Sequence, residues 1–151
     1  MQLIKVGAAV LNQTPFDWDN NKKNILAAIH SARAEGVTIL CLPELCITGY
    51  GCEDDFFRAD LRQRAWQQLL EIMSETSGMI VSLGLPVPYN NALFNCAALV
   101  CNGKLLGLVP KQNLAGDGIH YEPRWFEPWD EGVVSTVIID GQTVPIGDIH
   151  F

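Results

Sequence analysis

The sequence predicts an α/β fold whose first strands lie parallel, and three observations carry the prediction. Apolar runs over 3–11 and 37–42 bracket a segment with helical apolar spacing, which makes a strand-helix-strand unit. Two apolar runs stop at a proline followed by a charge, Pro43-Glu44 and Pro110-Lys111. Proline lacks a backbone donor and does not continue inside a sheet, so each pair reads as a strand end that holds a charged side chain at its carboxyl edge. Asn102-Gly103 then separates two further apolar runs, and this pair suits the positive φ that both positions of a type I′ hairpin turn require.

Taken in order, 3–11 is a strand whose mostly apolar character predicts cover on both faces. The loop 12–18 contains Pro15, and Asp17 or Asp19 is placed to cap the next helix. Ile25, Ala28, Ile29 and Ala32 recur at helical spacing, predicting that helix over 20–35, closed by Gly36. The second strand, 37–42, runs into Pro43. After Gly49-Tyr50-Gly51 the acidic run Glu53-Asp54-Asp55 precedes a helix over 58–75. Its stripe is Leu61, Ala65, Leu69 and Ile72, with Trp66 and Met73 beside it as core residues. The acidic run reads as solvated charge favourably placed at a helix start; binding of a hard cation is the alternative. A third strand, 79–85, is expected to end at Pro86-Val87-Pro88. The hairpin 92–101 and 104–109 comes next, then an irregular stretch over 112–130. A second hairpin pairs 133–139 with 142–146 about Asp140-Gly141, and an apolar strand is expected to begin near the last residue, Phe151.

Composition bounds the function. A chain of 151 residues with 48% hydrophobic and 18% charged residues suits one globular domain able to bury a core. A formal net charge of −7 argues against nucleic acid or an anionic membrane as partner, because both need a basic face. No apolar run approaches the length of a transmembrane helix, and the N-terminus reads as a strand rather than a signal peptide. The five cysteines are therefore expected to be reduced, in a cytoplasmic protein. Cys41, Cys46, Cys52, Cys96 and Cys101 form no Cys-x-x-Cys pair, and no metal site is expected. Cys41 and Cys96 read as small buried hydrophobes within strands, whereas Cys46 and Cys52 come after Glu44 and lie nearest any chemistry.

Glu44 and Lys111 are the candidate catalytic pair. The carboxyl ends of strands are where open α/β sheets place ligands, and an acid beside an amine supplies a proton acceptor and a positive donor. A solvated strand-end charge is the bland reading of each. Glu122 is a third candidate, and a surface pair with Arg124 is its alternative. Tyr50 and His120 are candidates for lining a substrate pocket, with a packed aromatic as the alternative for Tyr50. His30 is expected to face solvent.

Several motifs together resemble a known family. PELCITGYGCED after a buried strand, PKQNLAGDGIHYEPRWFEPW after a hairpin, and the opening LNQTPFDWDNNKKNI are similar to the nitrilase superfamily of carbon–nitrogen hydrolases. Gly84-Leu85-Pro86-Val87, YNNALFNC, Arg124-Trp125-Phe126 and Val144-Pro145-Ile146-Gly147-Asp148 narrow the resemblance to the N-terminal glutaminase domain of glutamine-dependent NAD synthetases. The resemblance implies a partial nitrilase-like four-layer α-β-β-α sandwich, with 1–151 as the N-terminal portion of a glutamine amidase domain. It implies a Glu–Lys–Cys triad in which Glu44 is general base, Lys111 stabilises the oxyanion, and Glu122 positions lysine and substrate. None of the five cysteines occupies the place of the family's nucleophile, which is expected beyond Phe151.

The function so implied is hydrolysis of glutamine to feed ammonia to an ATP-dependent synthetase that amidates nicotinic acid adenine dinucleotide. The expected partners are glutamine, a synthetase domain of the same protein and, by the family's habit of assembly, further copies of the chain. ATP and magnesium are implied for that synthetase domain alone; no cofactor is expected within these residues, which carry no Gly-rich phosphate loop. A stand-alone amidase or nitrilase acting on a small amide, and a non-catalytic interaction module, are the alternatives. The 151 residues alone are expected to be inactive in glutamine hydrolysis and to self-associate.

Overall fold

In a computed structural model that describes residues 3–139 and 141–151, seven strands join in one sheet of order β1-β2-β3-β4-β5-β7-β6. β1 (Val6–Ala8), β2 (Ile39–Cys41) and β3 (Ile80–Tyr89) run parallel. β3, β4 (Ala92–Cys101) and β5 (Lys104–Pro110) form an antiparallel meander. β6 (Val134–Ile139) and β7 (Gln142–Gly147) form a hairpin that joins the meander through β7, parallel to β5.

Two helices cover one face. α1 (Trp18–Ala34) links β1 to β2, begins at Asp17, whose carboxylate accepts from the Asn20 N–H, and is followed by Gly36 at φ 71°. α2 (Ala59–Met73) links β2 to β3 and buries the predicted stripe of Leu61, Ala65, Leu69 and Ile72. Ile25 and Ile29 of α1 join Leu40, Val81, Leu83, Leu85, Ala98 and Val100 in one core cluster. Each fully buried Ile or Leu there is worth about 1.5–3 kcal/mol relative to exposure. These helices and the sheet supply one helical and one strand layer of the four-layer sandwich that the resemblance implies.

The opposite face is where expectation and structure part. Cover on both faces fails for the first strand: Val6 is 68% and Ile39 is 39% exposed. The two sit in register on the face turned away from the helices, and β1 is an edge strand of only three residues. Cys41 shares that face and is exposed, not a buried hydrophobe, whereas Cys96 points to the helices and is buried.

The third strand does not stop at Pro86. It continues through both prolines to Tyr89 and turns at Asn90-Asn91, both at positive φ, into β4. The physical reason is the side on which the prolines lie. Ile80 donates to Thr38, Ser82 accepts from Leu42, and Gly84 accepts from Ile47, so even-numbered residues of β3 address the β2 side. Pairing with β2 ends at Ser82, so the nitrogens of Pro86 and Pro88 face away from β4 and cost no ladder bond. The Asn102-Gly103 turn is as expected, with φ of 50° and 73°. The turn expected at Asp140 lies partly outside the described residues. No strand begins after Gly147; the last four residues are irregular.

Candidate active site

Glu44 is delivered by a backbone that crosses the sheet at one permissive point. β2 pairing continues through the Leu42 N–H to Ser82, Pro43 ends it, and the following turn lies over β3. A Cβ on Gly84 would stand 2.2 Å from the Leu45 nitrogen and 2.8 Å from the Pro43 carbonyl oxygen. Glycine is thus required by space at this crossing. Leu45 takes the left-handed conformation at φ 49°, an uncommon geometry for a side chain of its size. The loop before α1 braces the turn from outside: Gln13 Nε2 donates to the Cys46 carbonyl at 2.6 Å and the Phe16 N–H to Thr48 at 3.2 Å. Buried Asn21 in turn exchanges two hydrogen bonds with the backbone of Thr14.

Lys111 directly follows β5. Its N–H donates to the Asn95 carbonyl at 2.8 Å, and its own carbonyl accepts from Trp129 at 3.1 Å. Its ammonium then reaches Glu44 Oε1 at 2.7 Å and both oxygens of Glu122, at 3.0 and 2.8 Å. Glu122 opens the short helix α3 (Glu122–Trp125), and its side chain is 1% exposed. That burial is tolerated because every direction is satisfied: the Ala115 N–H donates to Oε2 at 2.7 Å and Tyr50 Oη to Oε1 at 2.8 Å. Burial pushes the Glu122 carboxyl up, but donation from Lys111, Ala115 and Tyr50 outweighs it and leaves the acid below its ordinary range. Burial likewise works against the Lys111 ammonium, and the two carboxylates outweigh it and raise its pKa. Lys111 is therefore a fixed cation, and Glu122 an anchor with no lone pair to spare.

The five predicted residues form one chain of contacts. His120 Nδ1 lies 3.4 Å from Tyr50 Oη, Tyr50 holds Glu122, Glu122 holds Lys111, and Lys111 holds Glu44. Tyr50 stays a neutral donor, because burial and then the Glu122 carboxylate push its phenol far above the usual value. His120 touches only the outer end of this chain, stacked edge-on to Tyr50 at 6.0 Å. Arg124 does not pair with Glu122; it forks onto Asp54 at 2.6 and 2.7 Å, and Trp125 Nε1 adds a bond at 2.9 Å. The acidic run is thus not merely solvated: Asp54 ties the segment Tyr50–Phe57, which carries Tyr50, to α3, which carries Glu122.

Sequence reasoning missed Asn95 as a site residue. Its Nδ2 donates to Glu44 Oε1 at 2.5 Å. The signal was an amide inside the otherwise apolar strand ALFNCAALVC, since a buried amide needs a partner. Glu44, Asn95 and Lys111 line a hollow of about 300 Å3 with Cys41, Ser82 and Gly84 on the uncovered face. A larger cavity of about 520 Å3, near Phe57, Tyr89 and Trp125, contains none of the chain of contacts. Burial pushes the Cys46 thiol to about 12 and the Cys52 thiol to about 11, which makes both poor nucleophiles near neutrality.

Residues 5–148 match the family model described as carbon-nitrogen hydrolase. The chain belongs to the carbon-nitrogen hydrolase family. Among relatives of this chain, a glutamine-dependent NAD(+) synthetase of Oryza sativa subsp. indica is 40% identical over 131 residues, which are 85% of this chain and 18% of the relative. The crystal structure of a glutamine-dependent NAD(+) synthetase from Cytophaga hutchinsonii superposes with a TM-score of 0.94 at 46% identity, over 97% of this chain and 25% of that one. An amidase from Nesterenkonia sp. shares the fold, with a TM-score of 0.71 at 21% identity over 94% of this chain and 54% of its own. This carbon-nitrogen hydrolase chain thus spans about a fifth of the curated synthetases it resembles.

Proposed function

We propose that this chain supplies the acid–base half of a glutamine amidase, within a cytoplasmic, homo-oligomeric glutamine-dependent NAD synthetase. The observation that carries the reading is the Glu44–Lys111–Glu122 ion chain, whose Glu44–Lys111 end lines the hollow while Glu122 is buried behind it, and the 46% identity to a protein of that description supports the substrate. In this reading Glu44 takes the proton from a cysteine thiol as sulfur attacks the glutamine carboxamide carbon. Lys111 stabilises the negative oxygen of the tetrahedral intermediate. Glu44 returns the proton to the departing nitrogen, releasing ammonia and leaving a thioester. Water, deprotonated by Glu44, then adds to the thioester to give glutamate and the free thiol. Glu122 and Tyr50 hold Lys111 in place, and His120 borders the substrate entrance beside Tyr50.

The nucleophilic thiol belongs, in this reading, to residues outside these 151. Residues 1–151 are then the N-terminal portion of the amidase domain and inactive alone. The ATP and magnesium of the amidation step also belong to the synthetase domain. The acidic run here does not fit them: Asp54 is engaged by Arg124 and Trp125, and Asp55 by Arg58.

Measuring NAD formation by the full-length protein with glutamine or with ammonia as nitrogen source tests the reading. Glu44→Gln is expected to lower glutamine-driven synthesis by about 10³-fold or more and to leave ammonia-driven synthesis unchanged. Equal loss in both assays would overturn the role of Glu44. Cys41→Ser is expected to retain turnover; its loss would place the nucleophile within this chain instead.

A further inference from the structure

We propose that Asn95 is a positioning residue that selects which oxygen of Glu44 accepts the proton; the inference rests on Glu44 being the base of an amidase. Asn95 is 3% exposed, on β4 opposite Pro86, and faces the hollow rather than the helices. Its amide must turn its NH2 group to Glu44, because its oxygen would meet another acceptor. Asn95 Nδ2 at 2.5 Å and Lys111 Nζ at 2.7 Å both donate to the same atom, Glu44 Oε1. Among the described residues no hydrogen bond reaches Oε2.

The two oxygens of one carboxylate are thereby made unequal. Oε1 spends its lone pairs on two donors, one of them cationic, and is the poorer proton acceptor. Oε2 keeps its lone pairs and belongs to a side chain that is 38% exposed toward the hollow. The same residue also fixes the lysine, since the Asn95 carbonyl accepts from the Lys111 N–H at 2.8 Å. One buried amide residue therefore sets the base by its side chain and the cation by its main chain. Among the described residues, the charged and titratable groups around Glu44 are Lys111 at the end of β5, the Cys41 thiol of β2 lining the same hollow, Glu122 behind Lys111 on α3, and Tyr50 and His120 beyond Glu122. The proton step is simple: the nucleophile's bond to hydrogen breaks as an O–H bond to Oε2 forms, and the electron pair stays on the nucleophile.

Steady-state hydrolysis of glutamine by the full-length protein, measured across pH, tests the proposal with Asn95→Leu, Asn95→Asp and Glu44→Gln. Asn95→Leu keeps the shape and removes the donor. Its kcat is expected to fall about 10²-fold, as a misplaced catalytic group does, with KM for glutamine within a factor of two. The acidic limb of its kcat/KM profile is expected to move to higher pH, because the ionised base has lost a donor. In Asn95→Asp the amide becomes an acceptor, so activity is expected to fall at neutral pH and recover as the new carboxyl takes a proton. A variant that melts earlier but keeps kcat and the pH profile assigns Asn95 a packing role only and overturns the proposal. Should Asn95→Leu fail to fold, the pH profile of Asn95→Asp decides alone: a profile parallel to wild type overturns it. Full turnover in Glu44→Gln would instead overturn the amidase reading itself. Loss in Glu44→Gln with unaltered Asn95 variants would overturn only the positioning role.

Discussion

Glu122 shows how much a single residue depends on its neighbours. It is a nearly fully buried carboxylate, held ionised by Lys111, the Ala115 N–H and Tyr50. Its folded pKa lies below its ordinary value of 4.5, so the unfolded chain takes up the proton first as pH falls. The stability it contributes is complete above about pH 4.5 and drains as pH falls through the folded value. Asp54, Asp60 and Glu71 are shifted the same way, so the informative quantity is the difference between wild type and Glu122→Gln in acid unfolding. Glu122→Gln is expected to cost about 3 kcal/mol at neutral pH, the scale for breaking a buried ion pair, and to show a shallower acid slope by chemical denaturation. Residue identity alone pointed to Glu44 and Lys111, because a charge after a strand-ending proline is conspicuous. The partner of Glu122 was not legible in that way. Arg124 is two residues off and pairs with Asp54, while Lys111 lies eleven residues away. Cys41 was misjudged for a related reason: an apolar run does not say which of its faces is covered.

At the scale of elements, the turn that carries Glu44 depends on β3 as much as on β2. The turn after Leu42 rests on Gly84, where any side chain would collide with the backbone of Pro43 and Leu45. Gly84→Ala is expected to destabilise the protein by about 1–3 kcal/mol, as overpacking does, and to displace Glu44 from Lys111. Thermal unfolding reads the first effect. The second predicts that Gly84→Ala loses glutamine turnover more completely than its melting temperature alone would explain. The two long helices were legible to within two residues at each end, because apolar spacing and signals such as Asp17 and Gly36 mark them locally, whereas the short α3 fell in a stretch read as irregular. The hairpin at Asn102-Gly103 was legible from the turn pair. β3 was cut short because proline's cost depends on which side of the strand a nitrogen faces. That side is settled only by where β2 stops. Asn90-Asn91 closes the β3–β4 hairpin, a turn the prolines hid.

The whole molecule has one finished face and one unfinished one. Val6, Ile39 and Cys41 line the face opposite the helices, and β1 and β6 are the sheet's outer strands. Exposed apolar sheet surface and free edges favour association. Residues 1–151 are expected to sediment as concentration-dependent oligomers, and Ile39→Lys to shift the distribution toward monomer. A monomer at all concentrations would contradict this. The overall architecture was legible through the strand-helix-strand order; the uncovered face was legible only through the resemblance, which implies a partial sandwich, since apolar content alone resembles burial. The route by which the site closes also has a temporal side. Glu44 lies 51 residues before Asn95 and 67 before Lys111. At roughly 5–20 residues per second, a growing chain displays Glu44 for about 3 to 13 s before its lysine exists. During that interval the Glu44 carboxylate has no lysine to pair with, and water satisfies it. Gly84 then offers the seat, Asn95 brings the first donor, and Lys111 the charge. Glu122 is synthesised last, so the second carboxylate of the Lys111 ion chain follows the first by 78 residues.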